Sequence, residues 1–148
     1  MKAILQRVTS SKVSIDNKVI GQIGQGLNIL LGVGQEDEMS IVSKFVEKIV
    51  NLRIFADEAG KMNKSILDIK GEILLISQFT LYADMSGGRR PSFTKAGDPA
   101  KAEAIYRQMI DLLRGYGIKV ETGEFGGYMA VDIHNDGPTT IILDSRDI

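Results

Sequence analysis

The stretch that most limits the fold is "EILLISQFTL", Glu72–Leu81, which sets apolar residues side by side as a buried strand does. "LNILLGVG", Leu27–Gly34, is a second continuous apolar run, the pattern of a strand covered on both faces. Two helices are available as cover. Val42, Phe45, Val46, Ile49 and Val50 recur at helical spacing and predict an amphipathic helix over roughly Glu38–Asn51. Asp98 followed by Pro99 predicts a capped helix start, with the helix running to about Arg114 and ending at Gly115 and Gly117. Strand-like segments fill Ala3–Ile15, then Val19–Ile23 after a turn at Asn17-Lys18, then "LRIFAD" before a "DEAGK" turn. Ile118–Thr122 and Tyr128–His134 are further strands, "NDGP" a turn and "TTIILDS" a closing strand. The expectation is one α/β domain over residues 1–148, built of mixed, largely antiparallel β-sheets covered by two main helices.

Composition removes whole classes of chemistry. With 43% hydrophobic residues in 148, the chain can bury a core without a staple. It has no cysteine, which excludes disulfides, thiolate zinc sites and cysteine nucleophiles. No apolar run is long enough to cross a membrane, and "MKAILQRVTS" has neither a long apolar stretch nor a small-residue cleavage site. A cytoplasmic location is therefore expected. The formal charge of −1 argues against gripping a long duplex through many phosphates, so no DNA partner is expected. Contact with nucleic acid should be local, at an end or a short single strand.

Few side chains can act as catalysts. His134 is the one histidine, and in "YMAVDIH" it shares a strand face with Tyr128, Ala130 and Asp132. A Ser-His-Asp centre needs an imidazole beside a nucleophile, whereas His134, beside Asp132, reads as a half-solvated surface residue, and a lone histidine without cysteine argues against a catalytic zinc site. No metal and no cofactor are expected. "SQFTL" ends a buried strand with Ser77, Gln78, Phe79 and Thr80. Either its hydroxyls satisfy nearby backbone groups, or the freed backbone N–H groups and short polar side chains meet a carbonyl and stabilise an oxyanion. "SGGRRPS", Ser86–Ser92, is either a solvated turn or a phosphate contact through Arg89 and Arg90, and it is not a Walker loop. "NDGPTT" reads by itself as a hairpin turn, although its Gly-Pro bond is one of the few that can be cis. In "GEFGGYM", Phe125 is either core or a surface for stacking on a base.

Together, "QRV" at Gln6–Val8, "GVGQEDE", "SQFTLYAD", "GEFG" and "NDGP" resemble the D-aminoacyl-tRNA deacylase family, in the family's order and over the whole chain. The resemblance implies a hydrolase that cleaves the ester between a D-amino acid and the terminal adenosine of tRNA. It implies a homodimer with two sites at the interface, each binding an aminoacyl-tRNA acceptor end. Ser77, Gln78, Phe79 and Thr80 would line the reacting carbonyl. Gly137 and Pro138, joined by a cis bond, would present their carbonyls from the other subunit and reject L-aminoacyl substrates. Arg7 would hold that dipeptide, and Phe125 and Met129 would lie against the adenine. Glycyl-tRNA, with no side chain to reject, would also be open to cleavage. One departure is Thr139, where the family commonly has valine after Gly-Pro. The competing reading is a non-catalytic module that binds nucleotides or tRNA ends through the same residues.

Overall fold

A computed structural model describes residues 1–148. A six-stranded mixed sheet forms the centre. Strand β1 (Lys2–Ile15) turns at Asp16 and Asn17 into β2 (Lys18–Ile23), and β3 (Gly26–Gly32) follows. Asp16 and Asn17 both have positive φ, 49° and 62°, as a two-residue hairpin turn demands and as Asp and Asn tolerate. The turn thus lies one residue earlier than expected. Helix α1 (Val42–Val50) comes next, entered through a 3₁₀ turn at Met39–Ile41. The expected first helix is therefore α-helical only in its second part.

Strands β4 (Phe55–Ala56) and β5 (Met62–Lys64) make a small separate ribbon, so little of "LRIFAD" is strand. Then come β6 (Glu72–Ser77), helix α2 (Pro99–Gly115), β7 (Val120–Thr122) and β8 (Ala130–Asp144). Asp98 caps α2 by accepting from the N–H groups of Ala100 and Lys101 at 3.1 and 3.3 Å. The sheet runs β2-β1-β3-β6-β7, with β8 paired to the other edge of β1. Pairs of β1 with β2, β3 and β8 are antiparallel; β3–β6 and β6–β7 are parallel.

The continuous apolar strands have their expected cover. One face of the sheet, with Leu5, Leu27, Ile29, Leu31, Ile73 and Leu75, packs against Phe45, Ile49, Ile105 and Met109 of the helices. The other face, with Leu74 and Ile76, is closed by Val8, Val13 and Ile23, and by half-buried Met129, Val131 and Ile133. No helix is long and apolar enough to cross a membrane.

Two further expectations fail, both at the stretches of interest. The Glu72–Leu81 strand stops at Ser77, and Phe79–Tyr82 is a 3₁₀ turn. "NDGP" is not a hairpin turn. Asn135 pairs with Val8 and Thr140 with Gln6, so both flanks run along β1 in one direction and the dipeptide bulges out of a continuous strand.

Candidate active site

Backbone register explains why the chain breaks after Ser77. Ser77 is the last β6 residue to pair with β3, opposite Leu31, and the Gln78 N–H still donates to the Leu31 carbonyl at 2.7 Å. The turn then folds down onto Gly32. A side chain there would stand 3.0 Å from the Gln78 carbonyl oxygen and from Leu81 Cβ, so the turn depends on glycine for its close approach.

Beside this turn lies a cavity of about 370 Å³, within the range of sites that hold a small organic ligand. Ser77, Gln78 and Phe79 form one wall, Ala102 and Tyr106 of α2 another, and Phe93 and Phe125 complete it. Phe79 and Phe93 meet edge to face with ring centroids 5.0 Å apart, and Phe125 tilts against Tyr106 at 5.8 Å. The Tyr106 hydroxyl donates to the Leu75 carbonyl at 2.8 Å. Burial pushes its phenol up to about 12, so it stays neutral and serves as a wall.

Thr80 is exposed, and its hydroxyl oxygen accepts from the Gln78 side-chain amide. An amide donor occupies a lone pair and cannot take a proton, so this contact does not make Thr80 a nucleophile. The far end of the turn is anchored. The Tyr82 hydroxyl donates to Asp37 at 3.0 Å, and the Gly34 N–H donates to the same carboxyl oxygen at 2.6 Å. Burial alone would raise the Asp37 pKa, but these bonds and the Met1 amino group hold it below the ordinary value. A larger cavity, about 620 Å³, opens beside Asp37. Its charges are largely spent on one another: Arg146 pairs with Asp144 at 2.6 Å, and Lys2 sits over the Tyr82 ring at 4.9 Å. No three His, Cys, Asp or Glu side chains converge anywhere in the chain.

Gly137 and Pro138 are joined by a cis bond and exposed. Arg7 lies beneath them, its Nε 2.9 Å from Asp136 Oδ2 and its Nη1 donating to the Ile54 carbonyl at 2.7 Å. The Nε–H is not aimed at the carboxylate, so that contact is an ion pair rather than a directed hydrogen bond. Asn135 ties the bulge to β1 by donating to the carbonyls of Arg7 and Thr139 at 2.9 and 3.0 Å. Thr139 is half buried.

The dipeptide is far from the cavity of its own chain. Ser77 aligns with Leu31, Leu31 with Ala3 and Ala3 with Leu143, so β8 is three strands away. Gly137 also sits level with Arg7, four residues up β1 from Ala3. Strand spacing and rise make this about 20 Å along the sheet.

The family profile of the D-Tyr-tRNA(Tyr) deacylases matches residues 4–144. The chain belongs to the D-Tyr-tRNA(Tyr) deacylase family. Among its relatives, the D-aminoacyl-tRNA deacylase of Fervidobacterium nodosum is 53% identical over 148 residues, which is 100% of this chain and 99% of that one. The corresponding protein of Aquifex aeolicus is 54% identical over 148 residues, 100% of both chains. The solved structure of the c-Myc DNA unwinding element binding protein superposes with a TM-score of 0.90 at 42% identity, covering 97% of this chain and 98% of that one. That of a probable eukaryotic D-amino acid tRNA deacylase gives 0.83 at 16% identity, covering 96% and 97%, a likeness of fold.

In this deacylase-family chain the residues singled out from sequence fall into three places. Ser77, Gln78, Phe79 and Phe125 meet at the cavity, with Thr80 next in the turn. Arg7, Gly137 and Pro138 form a second group on β8 and β1. Met129 packs against Ile76 and Gly123 and does not line the cavity with Phe125. His134 is exposed, as expected. Phe93, Ala102 and Tyr106 were not foreseen as site residues. Ala102 and Tyr106 sit four apart on one face of α2, and that spacing is shared by every core pair of a helix.

Proposed function

We propose that this chain hydrolyses the ester of D-aminoacyl-tRNA at a site completed by a second copy of itself. The terminal adenosine enters the Phe93–Phe125 cavity, and the aminoacyl carbonyl lies against the Ser77–Thr80 turn. Water attacks that carbonyl, the bond to the ribose oxygen breaks, and the ribose recovers its hydroxyl proton. An aminoacyl ester is activated, so positioning and hydrogen bonds to the developing oxyanion suffice for acceleration. The observation that carries this mechanism is the Gln78–Thr80 contact. The Thr80 hydroxyl, exposed on the turn beside the cavity, receives an amide proton from Gln78 instead of facing a base. The adjacent 2′-hydroxyl of the substrate's own ribose then assists the water.

Chirality is read by the Gly137 and Pro138 carbonyls of the second copy, which accept from the substrate ammonium and fill the space an L side chain would need. Two observations support the cross-subunit arrangement. The dipeptide is exposed about 20 Å along the sheet from its own cavity. It also bulges from β8, a 15-residue strand with one edge unpaired, and a long open edge invites a second chain. Ile142 adds an apolar side chain, 75% exposed, on the same strand. Selection by exclusion accepts several D-amino acids and lets glycyl-tRNA through.

The test follows ester loss from matched D- and L-tyrosyl-tRNA. Rapid loss of the D ester with the L ester spared is expected. Equal rates, or binding of the tRNA end without hydrolysis, would contradict the proposal, and the second result would favour a binding module.

A further inference from the structure

The seven arginines differ in what they touch. Arg7 meets Asp136 and Ile54 O, Arg53 meets Asn63, Arg107 meets Glu103, Arg114 meets Val120 O, and Arg146 meets Asp144. Arg89 and Arg90 have no ion pair and no hydrogen bond within the chain, and both are exposed. A guanidinium presents five donors in a fixed fork that matches carboxylate and phosphate. Two adjacent ones left free is a local departure from the rest of this protein.

Their position gives that departure a direction. Asp84 and Ser92 exchange backbone hydrogen bonds at 2.8 and 2.9 Å, closing a loop whose tip carries both arginines. The loop can extend at most about 14 Å beyond that closure. Its base is fixed: Asp84 accepts from the Ser86 N–H and hydroxyl at 3.0 and 2.7 Å and pairs with Lys95 at 2.8 Å. One residue past Ser92 stands Phe93, which lines the cavity and packs on Phe79. Met85–Gly97 contains Arg89, Arg90 and Lys95 and no acidic residue, in a chain of net charge −1. Two adjacent unpaired positive charges therefore sit on a loop whose closure lies one residue from the cavity wall at Phe93.

We infer that Arg89 and Arg90 bind the phosphates of the nucleotides that precede the terminal adenosine, holding the single-stranded acceptor end as its last nucleotide enters the cavity. This rests on the deacylase reading and extends it to the part of the substrate outside the cavity. The contact is electrostatic and blind to base sequence.

The experiment compares wild type, R89A/R90A and R89K/R90K. One arm titrates uncharged tRNA at several salt concentrations. Another measures hydrolysis of D-tyrosyl-tRNA and of D-tyrosyl-adenosine, which lacks the preceding phosphates. Each single-strand phosphate contact contributes about 0.7 to the slope of log affinity against log salt. The alanine pair should therefore lower the slope by about 1.4 and raise KM for tRNA, with D-tyrosyl-adenosine hydrolysed at the wild-type rate, and the lysine pair should restore the slope. An unchanged slope, or an equal loss on D-tyrosyl-adenosine, would overturn the inference. So would conversion of a wild-type dimer to monomer with the slope intact, which would assign the arginines to contact between copies. A wild type that binds tRNA with this slope but cleaves neither ester would refute the deacylase reading and leave the phosphate contact standing.

Discussion

Gly137→Ala offers a perturbation whose size can be worked from the structure. Gly137 has φ +118°, a region L side chains rarely adopt. Placing a non-glycine residue there costs about 1–3 kcal/mol. A Cβ would also stand 2.8 Å from Thr139 Oγ1, 3.0 Å from Arg7 Nη2 and 3.1 Å from Thr139 N. The threonine hydroxyl can rotate away. The Arg7 guanidinium yields less easily, because its other nitrogens are held by Ile54 O and Asp136. The dipeptide must shift, and a misplacement near 1 Å is enough to slow an oriented reaction about 100-fold. Stability should fall by the backbone term, lowering Tm by about 2–12 °C at 2–4 °C per kcal/mol for a chain of this size. Gly117→Ala is the control. Gly117 also has positive φ, +78°, with nothing within 4 Å, beyond the end of α2. It should lower Tm with hydrolysis of D-tyrosyl-tRNA intact. A Gly137→Ala enzyme with wild-type kcat/KM and wild-type preference for D over L would refute the role given to this dipeptide.

Other outcomes follow from the same site. Thr80→Ala should slow the enzyme without abolishing it, and D-aminoacyl-tRNA ending in a 2′-deoxyribose should resist the wild type. A trapped acyl-threonine would overturn this assignment. Dialysis against a strong chelator should leave the rate unchanged when tRNA folding is controlled separately, and a loss restored by one divalent ion would contradict it. Tyr106, neutral in the fold to about pH 12, ionises near pH 10 when unfolded, so the native state binds more protons between these values. Its contribution, at most about 2–3 kcal/mol, is present below pH 10 and lost as pH rises toward 12. Chemical denaturation across that range should show the fall, and Tyr106→Phe should flatten it.

The elements that sequence specified well are those whose cause is local. The apolar runs of β3 and β6, the five-residue stripe of α1 and the Asp98-Pro99 cap of α2 each state their own structure. The stretches that misled are set by distant partners. Phe79 and Leu81 continue an alternation that suits a strand, yet the chain turns at Gln78 because Gly32, on a neighbouring strand, leaves room for Leu81 to fold back. "NDGP" has the composition of a hairpin turn, but β1 is 14 residues long and pairs with the strand on both sides of the dipeptide, so the bulge is held in line by Arg7 and Asn135. The cavity drew Ser77, Gln78, Phe79 and Phe125 from motifs. Its helical wall at Ala102 and Tyr106 carried no signal beyond ordinary packing spacing. Met129 follows Phe125 by four residues in a loop, yet it falls among the residues of the opposite sheet face.

The proposed site joins the Ser77–Thr80 turn of one chain to the Gly137–Pro138 carbonyls of another. Mixing Gly137→Ala and Thr80→Ala subunits under conditions that exchange them tests it directly. In a two-fold dimer, each mixed molecule has one pocket built from two unaltered halves and one built from two altered halves. With random exchange, half of the dimers are mixed, so their intact pockets should add about one quarter of wild-type activity on D-tyrosyl-tRNA to what the remaining parental dimers contribute. Activity that stays at the average of the two parents, after exchange has been verified, would contradict a shared site.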